Sequence, residues 1–280
     1  MGSEKKPEWY QQEVQSINPE AQRLLESYSG FHPDEVLPHV LKLRDEAYSI
    51  FHYPCIGQLR FLTFQLPHHP VYQRILARLR DDPTAGILEA GCCFGQEIRF
   101  LADQGIPGDQ LYGCDIEQPF IDLGYQLFRD RDRLNATFAV GDLSSPDCLD
   151  PASPIFQKLA GKIDVVFASS LFHLWDYDQQ VRVATHLVRL CRRRPSLMIV
   201  ARQLGNTLGG TYAMKDVAAG ANYRHNVETI KGFWYDVGQA TGTRWSVEAG
   251  LYIGEELAKV KNAGWANEND RMLWFCATLQ

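Results

Sequence analysis

The sequence has no C-x-x-C pair, no apolar run near membrane-spanning length and no excess of positive charge. Each absence excludes a class of protein. The seven cysteines, Cys55, Cys92, Cys93, Cys114, Cys148, Cys191 and Cys276, are odd in number and irregularly spaced. That argues against a disulfide framework and against a structural zinc site, and no metal is expected. Without roughly 18 consecutive apolar residues no membrane span is expected. The polar start, Met1 to Tyr10, lacks a signal core, and Lys6 stands where a myristoylation signal wants Ser or Thr. The expectation is a soluble protein of a reducing, cytoplasmic compartment. With 28 Lys+Arg against 34 Asp+Glu the net charge is −6, opposite in sign to the footprint of a nucleic-acid binder. The one basic run, Arg192 to Arg194, reads as a solvated helix end. What is present is ordinary: 280 residues, 45% apolar, enough to bury a core without staples.

The chain changes character near residue 82. Before it, apolar residues recur at helical spacing (Val36, Leu37, Val40, Leu41, Leu43; Val71, Ile75, Leu76, Leu79), broken by prolines at 33, 38, 54, 67 and 70. Residues 1–82 therefore read as a helical cap segment and 83–280 as a second domain. In the latter, apolar runs at Gly86–Ala90, Gln110–Cys114, Ala136–Val140, Ile163–Ala168 and Leu197–Ala201 are spaced for crossover helices. This predicts an α/β fold with a Rossmann-like, seven-stranded, mostly parallel sheet. Two further runs, Trp245–Ala249 and Met272–Thr278, are separated by the irregular loop Gly250–Arg271, which predicts an antiparallel last strand.

The most informative stretch is Ile87-Leu88-Glu89-Ala90-Gly91-Cys92-Cys93-Phe94-Gly95-Gln96, a strand, a glycine turn and the opening of a helix. Glycines let the backbone approach a ligand, and the helix start favours negative charge. A dinucleotide fingerprint would need glycines at Cys93 and Gln96, and a P-loop would need Gly-Lys-Ser/Thr; both are missing. Asp115 ends the second strand, where a carboxylate can accept from both ribose hydroxyls or simply cap a helix. Asp142 follows Gly141 at the third strand's end, where turn chemistry is the plain alternative.

The stretch resembles motif I of the class I S-adenosylmethionine (SAM) dependent methyltransferases, with the acidic residue at Glu89, glycines at Gly91 and Gly95, and the usual middle glycine replaced by Cys93. The resemblance implies SAM as cofactor, held by Glu89, Gly91, Cys93, Gly95, Asp115 and Asp142, with Ile116, Leu143 and Ser169 beside them. It also matches Ile163 to Ser170 to the fourth strand, which starts near an Asp and ends at the cleft.

After that strand, Ser169-Ser170-Leu171-Phe172 replaces the Asp/Asn-Pro-Pro-Tyr/Phe of nucleobase enzymes, and offers no cluster of ionised oxygens for magnesium. The runs Ser169 to Trp175, Ala201 to Gly205 and Tyr223 to Asn226 are similar to carboxyl O-methyltransferases of fungal meroterpenoid pathways, which methyl-esterify farnesylated aromatic polyketide acids. That resemblance implies a small-molecule partner, with no nucleic acid and no membrane, and a substrate side built from His173, Arg202 and His225. A carboxylate would need hydrogen bonds from the histidines; a phenol, pKa about 10, would need one of them as a base. A phenol O-methyltransferase, a cyclase or isomerase using the same pocket, and a non-catalytic subunit are the alternatives. A homodimer through an exposed face of the helical segment is open, and nothing in the pattern points to it. His68 and His69, between two prolines, are expected to face solvent, and Phe51, Tyr53, Phe61 and Phe64 to pack as core of the cap. Cys92, Cys93 and Cys114 cluster at the cofactor loop as small fillers.

Overall fold

The computed structural model describes residues 6–7, 9–213, 220–254, 257 and 267–280. Four helices precede the sheet: α1 (Pro19–Ser27), α2 (Pro33–Ile50), the short α3 (Pro54–Gly57) and α4 (Tyr72–Asp81). Each of the first three opens on a proline in its first turn, where the missing N–H costs nothing. Asn18 caps α1 by accepting from the Glu20 amide at 2.8 Å. The chain leaves α2 extended at Phe51, and Tyr53 stays extended, as the residue before Pro54 must.

The sheet has the order β3-β2-β1-β4-β5-β9-β8. Its parallel half is β1 (Ile87–Ala90), β2 (Leu111–Asp115), β3 (Thr137–Val140), β4 (Val165–Ser169) and β5 (Met198–Asn206). The crossover helices are α5 (Gln96–Asp103), α6 (Gln118–Phe128), α7 (Pro154–Leu159) and α8 (Tyr177–Leu190). After α9 (Val227–Thr241), β8 (Trp245–Tyr252) forms the edge, and the antiparallel β9 (Asp270–Leu279) inserts between β8 and β5. Seven strands with an antiparallel last one match the sequence reading. The intervening loop reading falls partly on residues 255–256 and 258–266, outside the described residues.

Two differences bear on the site. The fifth strand runs five residues past Ala201, because β9 pairs with it from Met198↔Thr278 to Asn206↔Asp270. A two-stranded hairpin, β6 (Gly210–Ala213) with β7 (Ala221–Arg224), precedes α9 where the sequence reading placed no strand. The basic run is no solvated helix end either. Arg192 and Arg194 pair with the fully buried Asp164, whose Oδ2 also accepts from the Gly86 amide at 3.0 Å.

One core lies between the sheet and helices α8 and α9, a second between its other face and α4 and α5. A third holds Leu24, Leu25, Val36, Val40, Leu43, Phe61 and Phe64 of the amino-terminal helices together with Phe94, Phe120, Leu127 and Phe128. Phe61 and Phe64 are thus core, as expected, whereas Tyr53 is only partly buried against it and Phe51, expected there too, is exposed. Among the described residues no helix is long and apolar enough to cross a membrane.

Candidate active site

The loop between β1 and α5 turns through three left-handed residues, Gly91 (φ 70), Cys93 (φ 50) and Gly95 (φ 65). A Cβ at Gly91 would stand 2.9 Å from Leu171 Cδ1, and one at Gly95 would stand 2.6 Å from Arg99 Nη1. Both glycines are therefore required by conformation, and Gly95 also by space, against the buried Arg99 and Phe138. Cys93 takes the same conformation with a side chain, at a cost of about 1–2 kcal/mol, and is held there by its amide donating to Asp115 Oδ2 at 2.8 Å. The amides of Gly91 and Cys92 both donate to the Cys114 carbonyl at 2.9 Å. The loop is thereby tied to the end of β2, and burial pushes the thiols of Cys92 and Cys93 well up, so both are unreactive fillers.

Asp115 ends β2 half-buried, its second oxygen accepting from the Glu117 amide at 3.0 Å. Burial raises its carboxyl, while the amides of Glu117 and Cys93 pull the other way. Ile116 beside it is 55% exposed, a large apolar side chain left uncovered at a strand end. Asp142 forms the plain turn: its Oδ1 accepts from the Ser144 amide at 2.8 Å and the Ser144 hydroxyl at 2.7 Å. Leu143 is buried, its carbonyl accepting from His186 Nδ1 at 2.9 Å. Glu89 points to the α4–α5 side, against the buried Glu97. Burial raises both carboxyls, that of Glu97 to about 8; the charge of Glu97 adds to the rise at Glu89, whose Oε2 has no partner.

At the end of β4, Ser169 is paired in register with Arg202 of β5, and Ser170 (φ 54) donates its amide to the Arg202 carbonyl at 2.7 Å. His173 follows in a 3-10 turn, Phe172–Leu174, whose carbonyl at His173 accepts from Asn222 Nδ2 at 2.8 Å. Its own Nδ1 is buried without a partner. Burial, and then the charges of Arg224, Arg60 and Arg202, lower its pKa to about 4. Arg202, inside β5 rather than beyond it, donates from Nε to the Tyr252 hydroxyl at 2.7 Å.

His225 corrects the sequence reading. It is fully buried, with Nδ1 on Thr229 Oγ1 and Nε2 on Gln180 Oε1, both at 3.1 Å, so it has no free nitrogen to offer a substrate. His69 is a second correction. It is buried rather than solvent-facing, with Nε2 on the Ala201 carbonyl at 3.2 Å and its ring edge-on to Trp274. His68 is exposed and meets Glu20.

Four residues of the amino-terminal segment, Phe51, Tyr53, Cys55 and Arg60, belong to the same neighbourhood. Cys55 is open to solvent, yet the surrounding protein pushes its thiol up to about 11. Burial likewise raises the Tyr53 hydroxyl to about 12, and the next contribution comes from Asp115. Phe51 stacks on Tyr53 at 3.9 Å and is 39% exposed. Arg60 is half-buried, and feels the charges of Cys55 and Arg202. Sequence reasoning missed Arg60, although a signal existed: it is the only Lys, Arg, Asp or Glu between Glu46 and Arg74.

A parallel sheet with a glycine cradle after β1 and a carboxylate at the end of β2 fits SAM. Gly91 and Gly95 take left-handed conformations that side chains rarely adopt, and Asp115 keeps an accepting lone pair on each oxygen. The fold and these loops define a Rossmann-like, SAM-dependent methyltransferase. A crystal structure of a SAM-dependent methyltransferase from Clostridium acetobutylicum overlays with TM-score 0.50, at 10% identity, over 83% of this chain and 99% of that one. Residues 88–194 match a methyltransferase domain, and residues 9–62 match the meroterpenoid methyltransferase N-terminal domain. O-methyltransferase phiE of Fungal sp. (strain ATCC 74256) is 40% identical, with 95% of this chain and 91% of that one covered. O-methyltransferase atr3 of Stereocaulon alpinum is 35% identical over 95% and 74%. The Asnovolin E/Chermesin D methyltransferase nvfJ of Aspergillus novofumigatus is 34% identical over 83% and 81%. The chain belongs to the family of fungal meroterpenoid-type O-methyltransferases.

Proposed function

We propose that the protein methylates the carboxylate of a hydrophobic, prenylated aromatic acid. The observation that carries this is the state of His173. Held near pKa 4 by burial and by neighbouring arginines, it has little power to take a proton from a phenol, whose pKa is about 10. The same cationic surroundings favour a nucleophile that arrives already ionised. A carboxylate needs orientation and partial desolvation, not a base.

SAM, when bound, supplies a methyl group activated by its sulfonium. Gly91, Gly95, Asp115 and Ile116 would hold it, the carboxylate receiving the ribose hydroxyls and Ile116 covering the base. Arg202, its Nε fixed by Tyr252, orients the substrate carboxylate. His173 Nδ1, buried and unpartnered, is available to a substrate oxygen. Phe51 and Tyr53 present a stacked aromatic wall that suits a prenyl chain. Positioning of this kind can contribute ~7–11 kcal/mol. Two of the relatives are O-methyltransferases, which supports transfer to an oxygen.

The test is incubation with SAM and a farnesylated hydroxybenzoic acid, which offers both a carboxyl and a phenol. The expected product gains one CH₂, loses it in mild alkali, and disappears with Asp115→Ala. An alkali-stable product would mean aryl ether formation and would sink the carboxylate reading. No S-adenosylhomocysteine at all would sink methyl transfer to either group.

A further inference from the structure

We propose that Asn222, on the β6–β7 hairpin, reads a hydroxyl group of the substrate beside His173, and so makes a hydroxylated acid the preferred one. The inference rests on the acid-methylating reading above, with His173 on the substrate side, and adds a specificity residue from the hairpin.

The hairpin is fastened to the turn that carries His173. Asn222 Nδ2 donates to the His173 carbonyl at 2.8 Å, and the Tyr223 amide donates to the Trp175 carbonyl at 3.0 Å. Gln180 Nε2 locks the two strands of chain together, donating to the carbonyls of Trp175 at 2.9 Å and Tyr223 at 2.8 Å. Alternation along β7 puts Asn222 and Arg224 on one face. Tyr212 of β6 stands opposite Asn222, with the Arg224 guanidinium over its ring at 4.7 Å. Asn222 and Arg224 are both buried.

This face carries more hydrogen-bonding atoms than partners. Among the described residues, Asn222 Oδ1, Arg224 Nε and His173 Nδ1 are buried and make no hydrogen bond, whereas buried polar groups are ordinarily paired. The charge of Arg224 is already met, since its Nη1 donates to both oxygens of Asp270 at 2.8 Å. What is left over is therefore hydrogen-bonding capacity, not charge. The Asn222 amide has one orientation: a carbonyl only accepts, so the atom facing the His173 carbonyl is the nitrogen and the free atom is the oxygen. The hairpin face thus offers a fixed acceptor and a fixed donor, two positions apart on one strand. A hydroxyl donates and accepts at once. It would donate to Asn222 Oδ1 and accept from Arg224 Nε, leaving His173 Nδ1 to the carboxylate. An acceptor-only group, such as an ether or a second carboxylate, cannot serve Asn222.

The experiment gives the unaltered protein and Asn222→Leu, with SAM, a farnesylated dihydroxybenzoic acid and two analogues in which each hydroxyl in turn is replaced by hydrogen. For the unaltered protein one analogue is expected to lose about 10- to 100-fold in kcat/KM, because it leaves the buried acceptor unpaired. In Asn222→Leu the parent acid should fall to the level of that analogue, so that the ratio collapses towards one. Calorimetric affinity for S-adenosylhomocysteine should be unchanged, which also shows that the variant folds; Asn222→Ala repeats the comparison should the leucine not fit. A variant that slowed all three acids alike and kept the ratio would assign Asn222 to holding the turn and overturn the proposal. Equal turnover of the three acids by the unaltered protein would overturn it without any variant, and leave trapped water as the partner of these atoms. If the unaltered protein forms no methyl ester, the acid-methylating reading falls and the role of Asn222 with it.

Discussion

Asp130→Asn is the substitution whose consequences the structure specifies in most detail. Asp130 and Arg99 are an ion pair with both side chains fully buried, Arg99 Nε on Oδ2 at 2.9 Å and Nη2 on Oδ1 at 3.2 Å. The Arg99 guanidinium lies against the rings of Tyr125, Phe128 and Phe138. Its Nη1 donates to the carbonyls of Phe94, at 2.9 Å, and Gly95, at 3.3 Å, in the cofactor loop. Tyr28 of the amino-terminal segment donates to Asp130 Oδ2 at 2.9 Å. Removing the carboxylate charge leaves a guanidinium buried among aromatic rings without an anion, which costs about 3–5 kcal/mol. For a chain of this size that is a fall in Tm of roughly 10 °C. Urea unfolding followed by tryptophan fluorescence measures it. Replacing both partners by apolar residues, Arg99→Met with Asp130→Leu, should restore much of the stability. It should nonetheless weaken affinity for S-adenosylhomocysteine, because with Arg99 gone the two loop carbonyls lose the donor that the single variant keeps. A loss below about 1 kcal/mol, the value of a solvated pair, would refute the reasoning. So would a double variant that binds cofactor normally.

Two further outcomes concern groups near the cofactor loop. A Cβ added at Gly124 would stand 2.3 Å from the Phe94 carbonyl oxygen; Gly124→Ala should cost about 1–3 kcal/mol by overpacking and weaken S-adenosylhomocysteine binding in a titration, and a variant with normal affinity would show that α6 yields freely. The Glu97 carboxyl is raised from 4.5 to about 8, so between those values the folded protein holds a proton that the unfolded chain has released, and stability falls as pH climbs. Glu97→Gln should flatten that fall by up to about 1.4 kcal/mol per pH unit, read from urea midpoints across the window; an unchanged slope would place the burden elsewhere, Glu89 first.

The parts of the fold legible in the sequence are those written in local chemistry. The run from Ile87 to Gln96 shows a strand, two glycines and a helix start, and Asp115 ends an apolar run; the structure ties these together by the Cys93 amide. What was illegible depends on partners far along the chain. Nothing near Ala201 says that the strand continues to Asn206; the reason is β9, some seventy residues on. His225 looked available because its partner Gln180 is 45 positions away, and His69 looked exposed because two prolines flank it while Trp274 and the Ala201 carbonyl cover it. Asp142 was ambiguous in the sequence, and the structure shows its turn, with Ser144 as partner.

The shared interior of the amino-terminal helices and α6 carries a consequence for protein engineering. Specificity in such enzymes invites the exchange of front ends between relatives, on the supposition that residues 9–62 can be traded as a cassette. Here that piece has no private interior: Leu24, Val36, Leu43 and Phe61 close over Phe94, Phe120, Leu127 and Phe128, and Tyr28 is anchored on Asp130. A chimera that swaps only the front end would juxtapose two unrelated halves of one packed interior. A working graft would have to carry α6 and the loop phenylalanine with it, and so would import the donor's cofactor cradle along with its taste in substrates.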